Sequence, residues 1–285
     1  MTEGQSREPR PQLARLGAEL RRVRTLAGLS GRQIAQATGL SQPTVSRIER
    51  GESVPSLREL IAWADVAEIG EDRRALLLGL GEAAVNEVTT LRTRLSNGLA
   101  AVQEEVREAE AAARTLRNFQ PGIIPGLLQT AEYARRILTF AGDPAEVGAA
   151  VARRLARQEV LHDPGRSFEF LLTESALRYR PGPHRLRAAQ LDHLAAVVTL
   201  ETITFGVIPA DAEMHAITRG GFILYEDRID DLPPFAVVET PHAYMHAHDP
   251  ADVEQYRHQL AAFRESAVYG DEAIKIVHRI AHPRS

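Results

Sequence analysis

Apolar residues at Leu13, Leu16, Leu20, Val23 and Ala27 return every three or four positions, the spacing of one helical face, and Gly28 closes the run. Ser30 and Gln33 then form a capping box that starts a second helix. Ser41 is the N-cap of a third, with Pro43 in its first turn, where a missing N–H costs little. GESVPS after Arg50 reads as a loop. The following helix carries the stripe Leu57, Leu60, Ile61, Ala64 and Ala67; Trp63 stands off that stripe, where it covers the edge or, the preferred role, serves as a core or interface residue. A fifth, short helix is expected from Asp72 to Leu80.

From Glu82 to Leu116 the positions Val88, Leu91, Leu95, Leu99, Val102, Val106, Ala109, Ala113 and Leu116 predict a long helix. Its extra four-residue step from Leu95 to Leu99 is a heptad stutter, unless Asn97 and Gly98 break it in two. Such a helix either forms a dimer and transmits a signal, or packs on its own C-terminal domain. At Arg117 the character changes. RNFQPGIIPGLLQT is rich in proline and glycine, and Thr130 caps a helix after it. VARRLARQEVL, RAAQLDHLAAVV, DVEQYRHQLAAFRESA and DEAIKIVHRI read as helices, FEFLLTESAL as a strand passing into a helix, and ITFGVIP, GGFILYED and FAVVETPHAYMH as strands. This irregular mingling predicts a mixed α and β domain with an antiparallel sheet.

The chemistry concentrates between Arg32 and Gly51. Ala35, Gly39, Val45 and Ile48 are spaced by four, six and three residues. A small residue lets one helix cross another, a glycine supplies the positive φ of a tight turn between helices, and two apolar residues one turn apart point the second helix inward. Gln42, Thr44, Ser46, Arg47 and Arg50 are left outward. Amide, hydroxyl and guanidinium groups are the side chains that read base edges and phosphates.

GLSGRQIAQATGLSQPTVSRIERGESVPS resembles the Cro and lambda-repressor-like helix-turn-helix family, with the likeness running over residues 12 to 69. The resemblance implies that Gln42, Thr44 and Arg47 read bases in double-stranded DNA while Arg32, Ser41 and Arg50 hold phosphates; Ser46 lies on the same face. Gly31 and Pro43 depart from the family pattern, which carries polar contact residues there in many members. Arg47 has a second reading as the partner of a nearby carboxylate.

FQPGIIPGLLQTAEYARRIL, VARRLARQEVL, FEFLLTESALRYRPG, ITFGVIP and EQYRHQLAAFRESA resemble an actinobacterial domain that follows such a reader, and the whole looks like the WhiJ-like, antitoxin-like regulators. That likeness implies a multi-domain chain: an all-α lambda-repressor-like domain over 1–69, a helical connector over 70–118 and a mixed α+β domain over 119–285. It implies a repressor modulated through its C-terminal domain by a small protein encoded by a neighbouring gene. A homodimer is expected on two half-sites one helical turn or a multiple apart. A small-molecule effector is the alternative, and an enzyme tethered to DNA the third.

Composition narrows these readings. At 285 residues the chain has room for two domains, and 44% hydrophobic content suits a packed core. The net charge of −4 conceals a basic start, since residues 1 to 51 hold nine arginines against four glutamates, an excess of five. Lys275 is the sole lysine, so arginine usage reflects a GC-rich genome as well as phosphate recognition. Residues 1 to 11 read as a disordered arm without an apolar leader, and no membrane span is expected, which points to the cytoplasm. Without cysteine there are no disulfides and no thiolate ligands.

All ten histidines follow residue 161, and His242, His246 and His248 crowd one segment, where His246 and His248 share a face as a metal pair in principle and are solvated loop by preference. GLGEAA spells a dinucleotide fingerprint without the strand that should precede it. Glu174, Asp211, Glu226, Asp227 and Glu239 cannot be paired into an acid and base by sequence. No cofactor, metal or enzymatic activity is therefore expected.

Overall fold

The computed structural model describes residues 11–90, 95, 98–229, 232–240 and 243–283. Residues 1–10 of the expected arm, Leu91 and Asn97 in the expected long helix, and His242 lie outside them, while Pro11 opens the first helix. The chain divides into two compact units, one formed by residues up to Glu87 with His246–Pro250 and the other by Val88–Met245 with Ala251 onward. Among the described residues no helix is long and apolar enough to cross a membrane.

The first unit is helical. It contains α1 (Pro11–Leu26), α2 (Gly31–Thr38), α3 (Gln42–Glu49), α4 (Leu57–Val66) and α5 (Glu71–Val85). Leu13, Leu16, Leu20 and Val23 from α1 meet Ile34, Ala35, Val45, Ile48, Leu60, Ala64, Ala67 and Leu77 in one core. Trp63 takes the core role preferred for it, fully buried in this core rather than covering an edge. The face of α4 that matters is Leu60, Trp63, Ala64 and Ala67, and the largest side chain fills the space between the helices. GLGEAA lies inside α5, without the strand and turn of a phosphate loop.

Among the described residues the long helix expected from Glu82 to Leu116 is interrupted: α5 ends at Val85, and a strand, a helix and a strand lie beyond it. These are β1 (Asn86–Thr90), α6 (Leu99–Ala111) and β2 (Ala113–Gln120). Gly98, at φ 86°, starts α6, and the Glu146 carboxylate accepts from the Leu99 N–H at 2.7 Å. Beyond β2 come α7 (Ala131–Thr139), α8 (Val147–Arg157), β3 (Ser167–Thr173), α9 (Glu174–Arg178), α10 (His184–Val197) and β4 (Ile203–Ile208). Then follow β5 (Phe222–Arg228), β6 (Phe235–Glu239), β7 (Ala243–Ala247), α11 (Pro250–Glu265), β8 (Val268–Tyr269) and α12 (Gly270–Ala281).

The sheet runs β7-β6-β5-β2-β3-β4-β8, with β1 beyond β7 as the eighth strand. It is mixed, not antiparallel as the sequence suggested. β2, β3 and β4 are mutually parallel, while β5 is antiparallel to β2 and β6, and β8 to β4. Parallel pairing follows from the helices inserted between β2 and β3 and between β3 and β4, since a parallel return needs a crossover. The register Leu116, Phe168, Ile203 puts one face of these strands into the main core with α10 and α12. On the other face Phe263 of α11 stacks on Phe119 at 4.1 Å between ring centroids.

Candidate nucleic-acid interface

Three helix starts in the first unit use the same device. Ser30 Oγ accepts from the Gln33 N–H, Ser41 Oγ from the Thr44 N–H and Ser56 Oγ from the Glu59 N–H, each at 3.3 Å. Each cap satisfies an N–H group that the helix itself cannot, worth about 1 kcal/mol. Gly39 takes φ 72°, closed to most side chains, and so turns α2 into α3. Ile34, Ala35, Val45 and Ile48 are buried, as the spacing requires.

Two features that the sequence reading did not single out hold α3 in place. Gly17 of α1 lies against the C-terminal turn of α3, where an added Cβ would sit 2.5 Å from the Ile48 carbonyl oxygen and 2.9 Å from that of Glu49. Arg24 donates through Nη2 to Glu49 Oε2 at 3.0 Å and through Nε to Oε1, and its Nη1 donates to the Leu29 carbonyl at 2.9 Å. The Glu49 hydrogen bond raises the Arg24 pKa above its ordinary value. One half-buried guanidinium thereby ties α1 to both the α1–α2 connection and the end of α3. No local pattern announces either contact, because both join residues distant in sequence.

The outward face of α3 splits into two groups. Ser41 Oγ lies 2.8 Å from Thr44 Oγ1, and Arg47 Nη2 donates to the same Thr44 hydroxyl at 3.3 Å, so these three residues line one stripe. Arg47 is half-buried and aimed along α3 toward its N-terminus. Arg50 is exposed but already paired: Nε and Nη2 donate to the two Glu52 oxygens at 2.8 Å each, and Nη1 to Ser46 Oγ at 2.5 Å. A phosphate would have to replace Glu52 to gain Arg50. Gln42 and Arg32 are exposed, and neither side chain has a partner among the described residues.

The second unit has two polar sites that could receive a signal. A cleft of about 460 Å³ lies over β2, β3 and β4, lined by Thr115, Arg117, Ser167, Glu169, Thr204, Arg264 and Tyr269. Charges alternate along its floor: Arg257 donates to Glu226 at 2.6 Å, Arg117 bridges Glu226 and Glu169, and Arg264 donates to Glu169 at 2.6 Å. The second site is buried around the PGLLQT turn. Arg154 donates to Gln103 at 3.0 Å and to Gln129 at 2.6 Å, and Arg157 Nε lies 3.1 Å from Glu110. Burial outweighs the Arg157 charge and pushes the Glu110 carboxyl up to about 7, while burial and then Arg157 bring Arg154 down to about 10.

The rings of His246 and His248 are 6.1 Å apart, and among the described residues no group of three or more His, Cys, Asp or Glu side chains could hold a metal ion.

Residues 15–77 match a family described as a helix-turn-helix domain. Residues 103–279 match one described as a domain of unknown function, DUF5753, and because that match spans more than half of the chain, the chain belongs to the DUF5753 family. No curated protein matches the chain. The pairing of a helix-turn-helix reader with a mixed α and β second domain is that of a DNA-binding regulator.

Proposed function

We propose that the protein is a sequence-specific transcriptional repressor of the cytoplasm that binds double-stranded DNA as a homodimer, without cofactor or catalytic activity. The observation that carries this reading is the outward face of α3, where Gln42 and the Ser41–Thr44–Arg47 stripe stand clear of the unit's core. Gln42, Thr44 and Arg47 are assigned to base edges, and Arg32, Ser41 and Arg50 to phosphates, with Ser46 orienting Arg50. Side chains of these types at the start of a recognition helix reach the major groove.

Modulation is assigned to the second unit and to a small protein encoded by a neighbouring gene, as in the WhiJ-like, antitoxin-like regulators that the chain resembles. The cleft over β2, β3 and β4 favours a second reading, a small-molecule effector, since its volume of about 460 Å³ suits a small ligand. Its lining of hydroxyls, guanidinium groups and a carboxylate would select a polar molecule rather than an apolar one. A reporter gene behind the sequence that the chain enriches from random duplexes separates these readings, assayed with and without the neighbouring gene and after Thr204→Leu in the cleft. Repression that responds to the neighbouring gene and ignores Thr204→Leu supports the partner protein. A response lost with Thr204→Leu and indifferent to the gene supports the small molecule, and no repression in any strain refutes the repressor assignment.

A further inference from the structure

From Ser175 to Leu191 the second unit has no acidic residue, against Arg178, Arg180, Arg185, Arg187 and His184. In a chain of net charge −4 this is a pronounced local reversal. The fold gathers these cations and adds more. Arg187 Nη1 donates to the Arg178 carbonyl at 3.2 Å, and Arg136 of α7 donates to the Pro181 carbonyl at 2.7 Å. Glu174 is the only carboxylate in the ion pairs of this cluster among the described residues, and it is shared by Arg178 and Arg279. Burial, and after it the charges of Arg180 and Arg178, lower the pKa of Arg187, so the guanidinium groups are close enough to repel one another. Arg180 and Arg185 are exposed and engage no carboxylate among the described residues.

Two aromatic rings stand at the surface among these arginines, Phe140 at 59% exposure and Tyr179 at 41%. The Arg136 guanidinium lies over the Phe140 ring, 4.4 Å from its centroid. One of the two rings lies under a guanidinium and charge dominates the surface around both, whereas the middle of a protein–protein interface is depleted of charge. A duplex presents one negative charge about every 1.7 Å along its axis, and arginines that replace its counterions gain affinity without regard to sequence.

We propose that the loop between α9 and α10 and the first turn of α10, with Arg136 of α7, is a contact surface for the phosphate backbone of duplex DNA, separate from the α3 face. It adds sequence-independent affinity. The helix-turn-helix match makes DNA the polyanion this chain meets, and Glu174, taken up by Arg178 and Arg279, leaves Arg180 and Arg185 without a carboxylate among the described residues.

The test is fluorescence anisotropy of the full chain on a duplex of arbitrary sequence across a series of salt concentrations. Arg180→Gln with Arg185→Gln should make the slope of log K against log salt shallower by about 2, at ~0.9 for each phosphate no longer neutralised. Sequence preference should not change, and lysines at the two positions should restore the slope. Arg114→Gln with Arg219→Gln removes the same charge from exposed sites elsewhere in this unit and should leave the slope alone. An unchanged slope in the first variant, or an equal loss in the control, overturns the proposal while leaving the α3 reading intact. So does a first variant that keeps its slope but no longer captures an acidic protein, which would make this a protein site. A wild-type chain that ignores duplexes altogether overturns both.

Discussion

Replacing Gly17 with alanine puts one methyl group where the structure has no room for it. The new Cβ would lie 2.5 Å from the Ile48 carbonyl oxygen, 2.9 Å from that of Glu49 and 3.0 Å from the Gly51 nitrogen, all backbone atoms that cannot rotate away. Ordinary contact begins near 3.4 Å, so α1 and the end of α3 would have to part by roughly 0.9 Å. Overpacking of this kind costs about 1–3 kcal/mol. Trp63 is the only tryptophan in the chain and is fully buried in the first unit's core, so its emission reports the unfolding of that unit. With a urea dependence of about 1 kcal/mol per molar for a small unit, the midpoint should fall by about 1–3 M. Gly79→Ala is the control: it lies in α5, nothing is within 4 Å of its added Cβ, and helix propensity should raise stability by about 0.5–1 kcal/mol. A Gly17→Ala midpoint equal to that of the wild type would refute the close approach of α1 and α3.

Two further expectations come from charges. Burial raises the Glu110 carboxyl from 4.5 to about 7, so the folded unit keeps a proton that the unfolded chain releases, and stability should decline as pH rises through that window by at most about 3 kcal/mol. Glu110→Gln should flatten this decline in calorimetry of the second unit between pH 5 and 8; parallel curves for the two proteins would contradict it. Glu49→Gln removes the carboxylate that Arg24 grips and should cost about 1 kcal/mol in the Trp63 transition, less at high salt. No loss at low salt would show that the Arg24 pair does not hold α3.

The reader was legible in the sequence because its rules are local. A serine three residues before its capped N–H, a glycine at positive φ and a helical apolar period all act within one turn, and Ser30, Ser41, Gly39, Val45 and Ile48 carry them. Gly17 and Arg24 were not legible, since their contacts lie across α1 and α3 and depend on how closely the helices approach. β2 was misread as the end of a helix. It is a central strand flanked on both sides, and Ala113 and Leu116, both buried, happen to stand three apart as helical residues do. The strands Phe222–Arg228 and Phe235–Glu239 were visible from their apolar runs and pair antiparallel, whereas the parallel β2–β3 pair was lost with the misreading of β2, although the helices before β3 and β4 are the crossovers that parallel pairing needs. The cleft escaped notice for a similar reason: Thr115, Arg117, Glu169 and Thr204 become neighbours only through strand register.

The central claim is that the outer face of α3 reads duplex DNA, and selection from a pool of random duplexes tests it most directly when done with the wild-type chain and with Arg47→Ala. The wild type should enrich one motif with two-fold symmetry. The variant should bind that motif more weakly by about 1–3 kcal/mol and lose its preference at one position in each half-site. Enrichment of the same motif at full strength by Arg47→Ala would remove Arg47 from the readers, and a wild-type chain that enriches no sequence would contradict the account as a whole.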